Sequence, residues 1–127
     1  MDKQAGPVAL VVDDSRVSRM MIVGILRELA PRLQIVEAGD GAEAVVKAEQ
    51  LQPELVTLDV NMPVMDGFEA AERIRALLPA ATLCLLTANV QASSKARAET
   101  LGVHFLAKPI SEAVVRQAVE AWEREHG

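Results

Sequence analysis

The stretch LVTLDVN, residues 55–61, is an apolar run that stops on a carboxylate. Residues suited to a buried strand lead straight into Asp59, with Asn61 two places on. Three other runs end the same way: LVVDDS (10–15) on Asp13 and Asp14, LLTANV (85–90) on Thr87 with Asn89 behind it, and HFLAKP (104–109) on Lys108. Core formation alone gives no reason to end four strands on polar groups, so the repetition asks for a common cause.

Around these runs the chain alternates. Val8 to Val12, Leu33 to Glu37, Leu55 to Leu58, Thr82 to Leu86 and Val103 to Ala107 are short and rich in Val, Leu and Ile, and several are apolar nearly throughout, as strands covered on both faces require. Between them lie helical patterns. From Ser15 the series Ser18, Met21, Ile22, Ile25, Leu26 and Leu29 marks one side of a helix that Pro31 ends. GDGAEAVVKAEQL (39–51) starts a second helix, closed by Pro53. A third spans Gly67 to Leu78, and a fourth runs from about Val90 to Leu101. The fifth has Ser111 as N-cap, Glu112 in the first turn, and Val115, Ala118, Val119 and Trp122 on its buried stripe. Five strands alternating with five helices, without repeat or linker, read as one α/β domain: a doubly wound parallel sheet.

Composition sets the outer limits. A chain of 127 residues, half of them apolar, buries a core without metal or disulfide staples. The net charge of -5 argues against direct nucleic-acid binding, whose affinity comes largely from Lys and Arg on phosphates. The single cysteine, Cys84, sits in the apolar run TLCLL and reads as a buried thiol in a reducing compartment. MDKQAGP lacks the apolar core of a signal peptide and no run is long enough to span a bilayer, so a cytoplasmic protein without membrane insertion is expected.

In an open parallel sheet, ligands bind outside the carboxyl ends of the strands, near the switch point in strand order. Asp13, Asp14, Asp59, Thr87 and Lys108 all fall there. Three carboxylates about 4 Å apart would repel by roughly 4 kcal/mol per pair at an effective dielectric near 20, so cations must sit among them. Lys108 supplies one charge, and a hard divalent ion with oxygen ligands supplies the rest. An Asp can attack phosphorus to form an aspartyl phosphate, and a Thr hydroxyl can then donate to a phosphoryl oxygen. Each residue has a plainer reading. Asp13 or Asp14 could be a helix N-cap, Asp59 a loop cap, Thr87 an ordinary strand residue and Lys108 a solvated charge before a turn. Their joint placement at the strand ends favours a site.

The segments VVDDS, LVTLDVNMPVMDGFEA, LLTA and FLAKPI, in this order and spacing, resemble the receiver domain of two-component response regulators, over about Val8 to Trp122. The resemblance implies a flavodoxin-like fold of strand order 2-1-3-4-5, with residues 1–127 forming a single receiver domain. It implies that Asp59 accepts a phosphoryl group from a histidine kinase or histidine phosphotransfer protein. Mg²⁺ (or Mn²⁺) would be held by Asp13, Asp14, Asp59 and the backbone carbonyl of Asn61. Thr87 would close on the phosphoryl group, Ala88 would leave room for it and Lys108 would pair with it. The Lys108–Pro109 peptide is often cis in this family. Phe105 stands where the family more often has a switching Tyr, and helix four, strand five and helix five form the face that binds a downstream protein target. Asn61 and Asn89 flank the path of attacking water and would tune the phosphoryl lifetime. Such a chain is no enzyme beyond its own phosphorylation and dephosphorylation. It is expected to stand alone as in chemotaxis signalling or a phosphorelay, as a monomer or a phosphorylation-dependent dimer.

Three further expectations come from composition and spacing. Helix four, NVQASSKARAETLG (89–102), is poor in large apolar residues and should be weakly anchored. Trp122 is expected in the core, and His104 and His126, which lack metal-ligand spacing, in solvent. The alternatives are an Mg²⁺-dependent aspartyl-phosphate phosphatase or a phosphorylation-independent interaction module. A haloacid-dehalogenase-type phosphatase would carry its nucleophile after the first strand as D-x-D. A flavodoxin would have a phosphate loop where this chain has Asp13 and Asp14. An inert module would be expected to lack Asp14, Asp59 or Lys108.

Overall fold

The computed structural model describes residues 6–88 and 91–127. Five strands, β1 (Val8–Val12), β2 (Gln34–Ala38), β3 (Leu55–Asp59), β4 (Thr82–Thr87) and β5 (His104–Ala107), alternate with α1 (Arg16–Leu29), α2 (Gly41–Leu51), α3 (Gly67–Leu77), α4 (Ala92–Leu101) and α5 (Glu112–His126). The strands form one parallel sheet in the order β2-β1-β3-β4-β5, the order that the resemblance to receiver domains implies.

Period-two alternation divides the core. Leu10, Val12, Val56, Leu58, Leu83 and Leu85 pack with Ala44 and Ala48 of α2, Phe68, Ala71 and Ile74 of α3 and Ala98 of α4. Ala9, Val11, Leu55, Cys84 and Leu86 pack with Ile22, Val23 and Leu26 of α1 and Val115, Val119 and Trp122 of α5. Trp122 is buried as expected. Its indole N–H donates to Glu54 Oε1 at 3.0 Å, and Arg32 stacks 4.5 Å over its ring. Burial pushes the Cys84 thiol up to about 12, which leaves it inert.

Four of the five helices are started by a side chain. Ser15, Asp40, Asp66 and Ser111 accept the backbone N–H three residues on in α1, α2, α3 and α5, each satisfying a donor that the first helical turn leaves open. The α1 cap is therefore Ser15, which frees Asp13 and Asp14 from that plainer role. Gln91 of α4 makes no such bond.

Several expectations shift. The buried stripe of α1 is turned toward Ile22, Val23 and Leu26, where α5 closes over it, so Met21 is half exposed rather than buried. β2, β3 and β4 each run one residue further than the apolar runs, because ladder pairing continues through Ala38, Asp59 and Thr87. β5 starts at His104, and α4 is assigned from Ala92; Val90, its expected first residue, lies outside the described residues. The histidines are not simply solvated. His104 Nε2 lies 2.8 Å from Glu125 Oε2, and His126, mostly buried, has Nδ1 3.9 Å from Glu54 Oε1. The carboxylates facing them come from α5 and the turn before β3, elements that sequence spacing does not bring together.

Candidate functional site

The polar strand ends converge. One oxygen each from Asp13, Asp14 and Asp59 lies within 4.8 Å of the other two. Asp13 and Asp59 are buried and Asp14 is exposed, which gives the cluster a floor and a rim. Lys108 Nζ reaches in from the end of β5, 3.1 Å from Asp59 Oδ1 and 3.8 Å from Asp13 Oδ2. An ammonium and a carboxylate at the shorter distance attract by about 5 kcal/mol at an effective dielectric near 20.

The two buried acids are held by backbone. Asp13 N donates to Ala38 O at 3.2 Å, and Asp13 Oδ1 accepts Ser15 N at 2.8 Å. Asp59 Oδ1 accepts Asn61 N at 3.3 Å, so the amide of Asn61 already faces the cluster. Burial pushes the Asp13 carboxyl up; the Ser15 amide and Lys108 oppose the shift, and the Asp59 and Asp14 charges add to it.

Among the described residues Asp13 Oδ2 is buried without a hydrogen-bond partner, since Lys108 stands too far for one. An orphaned carboxylate oxygen costs about 1–3 kcal/mol or more unless something else binds it. Three carboxylates and one ammonium leave two net negative charges, which one divalent cation would balance. All the described ligands are oxygens, the donor set of Mg²⁺ or Mn²⁺ rather than of softer ions. The residues present therefore fit such an ion.

The second group lies on the other face of the sheet. Phe105 packs with the α3 and α4 core, and Leu85, its register partner, does the same. Thr87, two residues beyond Leu85 and nearly fully buried, shares that face by alternation. Its carbonyl accepts Lys108 N at 2.8 Å, tying the ends of β4 and β5 together. The Phe105 and Phe68 rings are tilted with centroids 6.1 Å apart, and Arg97 of α4 stacks 4.5 Å over Phe68. Ala88 is exposed beside Thr87, and the Lys108–Pro109 peptide is cis. Asn89 lies outside the described residues.

The geometry adds residues that the sequence did not single out. A Cβ on Gly67 would fall onto the Asp59 carbonyl and lie 2.8 Å from Val60 Cα, so the first turn of α3 approaches the site only because this residue has no side chain. Arg19 Nη1 donates to the Asp13 carbonyl at 2.6 Å. The glycine directly after Asp66 was a visible signal, whereas Arg19 looks like any solvent-side charge on an amphipathic helix.

Residues 9–120 match the family described as "Response regulator receiver domain". The chain is 37% identical over 112 residues to "Chemotaxis protein CheY" of Listeria monocytogenes, covering 87% of this chain and 93% of that protein. It is 42% identical over 102 residues to a "Protein-glutamate methylesterase/protein-glutamine glutaminase" of Caldanaerobacter subterraneus, matching 79% of this chain but only 28% of that longer protein. Among solved structures, Vibrio cholerae chemotaxis protein CheY4 superposes with a TM-score of 0.82 at 28% identity, covering 91% of this chain and 98% of that one. The response regulator domain of Thermotoga maritima CheB gives 0.80 at 29% identity, covering 95% and 96%.

Proposed function

The chain belongs to the response regulator receiver family, and from that premise we propose that it is a phosphorylation-dependent signalling switch whose phosphoacceptor is Asp59. The observation that carries this reading is the placement of Lys108 Nζ 3.1 Å from Asp59 inside a cluster of three carboxylates. A cation aimed at one carboxylate suits a group whose negative charge grows when phosphorus is bound.

Asp59 Oδ1 is engaged by Lys108 and by the Asn61 amide, which leaves Oδ2 to attack. The new O–P bond forms as the N–P bond of a donor phosphohistidine breaks, and the imidazole nitrogen leaves with the electron pair. Asp13, Asp14, Asp59 and the Asn61 carbonyl would hold Mg²⁺, which when bound neutralises phosphoryl oxygens and orients them for in-line transfer. Lys108, at the carboxyl end of β5, balances the added charge. Neither Asn61 nor Asn89 can act as an effective general base, so both would affect hydrolysis only by orienting or obstructing water.

Thr87 then donates its hydroxyl to the phosphoryl group. Because Thr87 and Phe105 share the α4 face of adjacent strands, drawing Thr87 in opens space that Phe105 follows. The face formed by α4, β5 and α5 thereby changes shape for a downstream protein target. Moving such an equilibrium from 1:99 to 99:1 takes about 5.5 kcal/mol of differential interaction. A few charge-assisted hydrogen bonds supply that. The absence of any membrane-spanning helix among the described residues is compatible with a cytoplasmic switch. The longer methylesterase relative shows that such a domain also occurs within larger proteins.

Intact mass spectrometry after incubation with acetyl phosphate and Mg²⁺ tests the proposal. One added phosphoryl group, absent in Asp59→Asn and lost on removing Mg²⁺ with EDTA, is expected. No mass gain, or one that survives Asp59→Asn, overturns it.

A further inference from the structure

Arg19 stands behind the acidic cluster. Its described hydrogen bonds go to the Asp13 carbonyl, 2.6 Å from Nη1, and to Glu37 Oε1, 3.1 Å from Nε, not to any carboxylate of the cluster. The side chain is only 18% exposed, so the guanidinium is packed in place between the ends of β1 and β2.

The carbonyl it grips belongs to the peptide joining Asp13 to Asp14. The orientation of that peptide sets the direction in which the chain leaves β1, and with it where the Asp14 carboxylate goes. Asp13 has other restraints: its N–H is tied to Ala38 O, its Oδ1 to Ser15 N, and it is buried. Asp14 is exposed, so core packing does not place it. Glu37 in turn fixes the guanidinium from β2, and the Glu37 carbonyl accepts Lys47 Nζ from α2.

We propose that Arg19 is a positioning residue for the divalent-ion site: its guanidinium, braced on Glu37, holds the Asp13–Asp14 peptide so that both carboxylates face Asp59. The inference rests on the reading of that cluster as an Mg²⁺ site. A planar fork with donors in fixed directions suits the task, since it meets a carbonyl and a carboxylate at once; a lysine offers one flexible ammonium.

Charge and positioning predict opposite signs. By charge alone, deleting a cation near three carboxylates tightens binding of another cation. By positioning, deletion weakens binding, because partners behind metal ligands typically contribute about 10–100-fold in affinity.

Mg²⁺ titrated calorimetrically into the unphosphorylated protein separates them. Arg19→Met is expected to bind Mg²⁺ about 10-fold more weakly or worse. Arg19→Lys, which keeps the charge but not the fork, is expected to be weakened as well. The backbone amide resonance of Asp14 should move in both variants before Mg²⁺ is added, with thermal melts in EDTA showing that each is folded. Unchanged or tighter binding in Arg19→Met, or full recovery in Arg19→Lys, overturns the inference. Should Arg19→Met fail to fold, Arg19→Lys decides alone. Wild-type protein that binds no Mg²⁺ sinks the metal-site reading and the inference with it. Wild-type binding with unaltered variants sinks the inference only.

Discussion

Lys108 Nζ sits between two buried carboxylates, 3.1 Å from Asp59 Oδ1 and 3.8 Å from Asp13 Oδ2, and so occupies part of the electrostatic role of a metal ion. Removing it leaves both acids buried and less compensated. Lys108→Met is expected to lower stability in EDTA by about 1–3 kcal/mol. It should also tighten Mg²⁺ binding, because ammonium and ion compete for the same oxygens, so Mg²⁺ should recover more stability in the variant than in the wild type. Urea midpoints with and without Mg²⁺ measure both effects. An identical Mg²⁺ response in the two proteins would show that Lys108 is no counter-ion to the cluster.

Gly67 and Gly24 should respond to alanine with opposite signs. A Cβ at Gly67 meets the Asp59 carbonyl and Val60 Cα, backbone that cannot move without shifting the acceptor, so Gly67→Ala is expected to cost about 1–3 kcal/mol and to slow acetyl-phosphate labelling. Within α1 at Gly24 a Cβ meets nothing within 4 Å, and Gly24→Ala should add about 0.5–1 kcal/mol through helix propensity. Paired urea melts check the signs; a stabilised Gly67→Ala would refute the close approach.

The fold was legible because burial on both faces of the sheet writes each strand as an apolar run, and because Pro31, Pro53 and Pro79 punctuate the helices. The acidic cluster was legible for a related reason: Asp13, Asp59 and Lys108 interrupt those runs at one end. What stayed hidden depends on the partner rather than on the residue. Arg19, Arg75, His104 and Glu125 are polar residues at helical or strand-edge positions, and local sequence cannot say which distant carbonyl or carboxylate each one meets. The α1 cap shows the same limit in miniature: Asp13 and Asp14 were the candidates in the sequence, and backbone geometry gives the role to Ser15 after them.

At the opposite end of the sheet, Glu125 accepts Thr82 Oγ1 at 2.6 Å and pairs with His104. Burial pushes its carboxyl up, but those two bonds and the His104 and His126 charges outweigh it and hold the group below its ordinary value. A carboxylate depressed by folding contributes stability above its unfolded pKa, about 4.3, and loses it as pH falls through the folded value. Glu125→Gln should therefore be less stable than wild type at neutral pH, with the gap closing below about pH 4.3. Urea midpoints from neutral to acid pH test this; a gap independent of pH would assign the loss to packing.

Arg75 determines which end of α4 is free to move. From α3 its guanidinium donates to the carbonyls of Leu101 and Gly102 at the end of α4 (3.3 and 2.8 Å), of Leu78 and Pro79 after α3 (3.3 and 3.0 Å) and of Ala81 before β4 (2.8 Å). The other end of α4 has no side-chain cap, and Ala98 is the helix's buried residue among those described. With one end clamped and the other loosely held, α4 should tilt about its C-terminus rather than slide. Hydrogen exchange is expected to be faster in the first half of α4 than around residues 98–103, and phosphorylation should change protection mainly in that first half. Arg75→Met should cost about 1.5–3 kcal/mol, the range for hydrogen bonds to a charged group, and raise exchange at the clamped end. Equal changes along the whole helix on phosphorylation would replace the tilt by a rigid displacement, because a pivot requires one end to stay where Arg75 holds it.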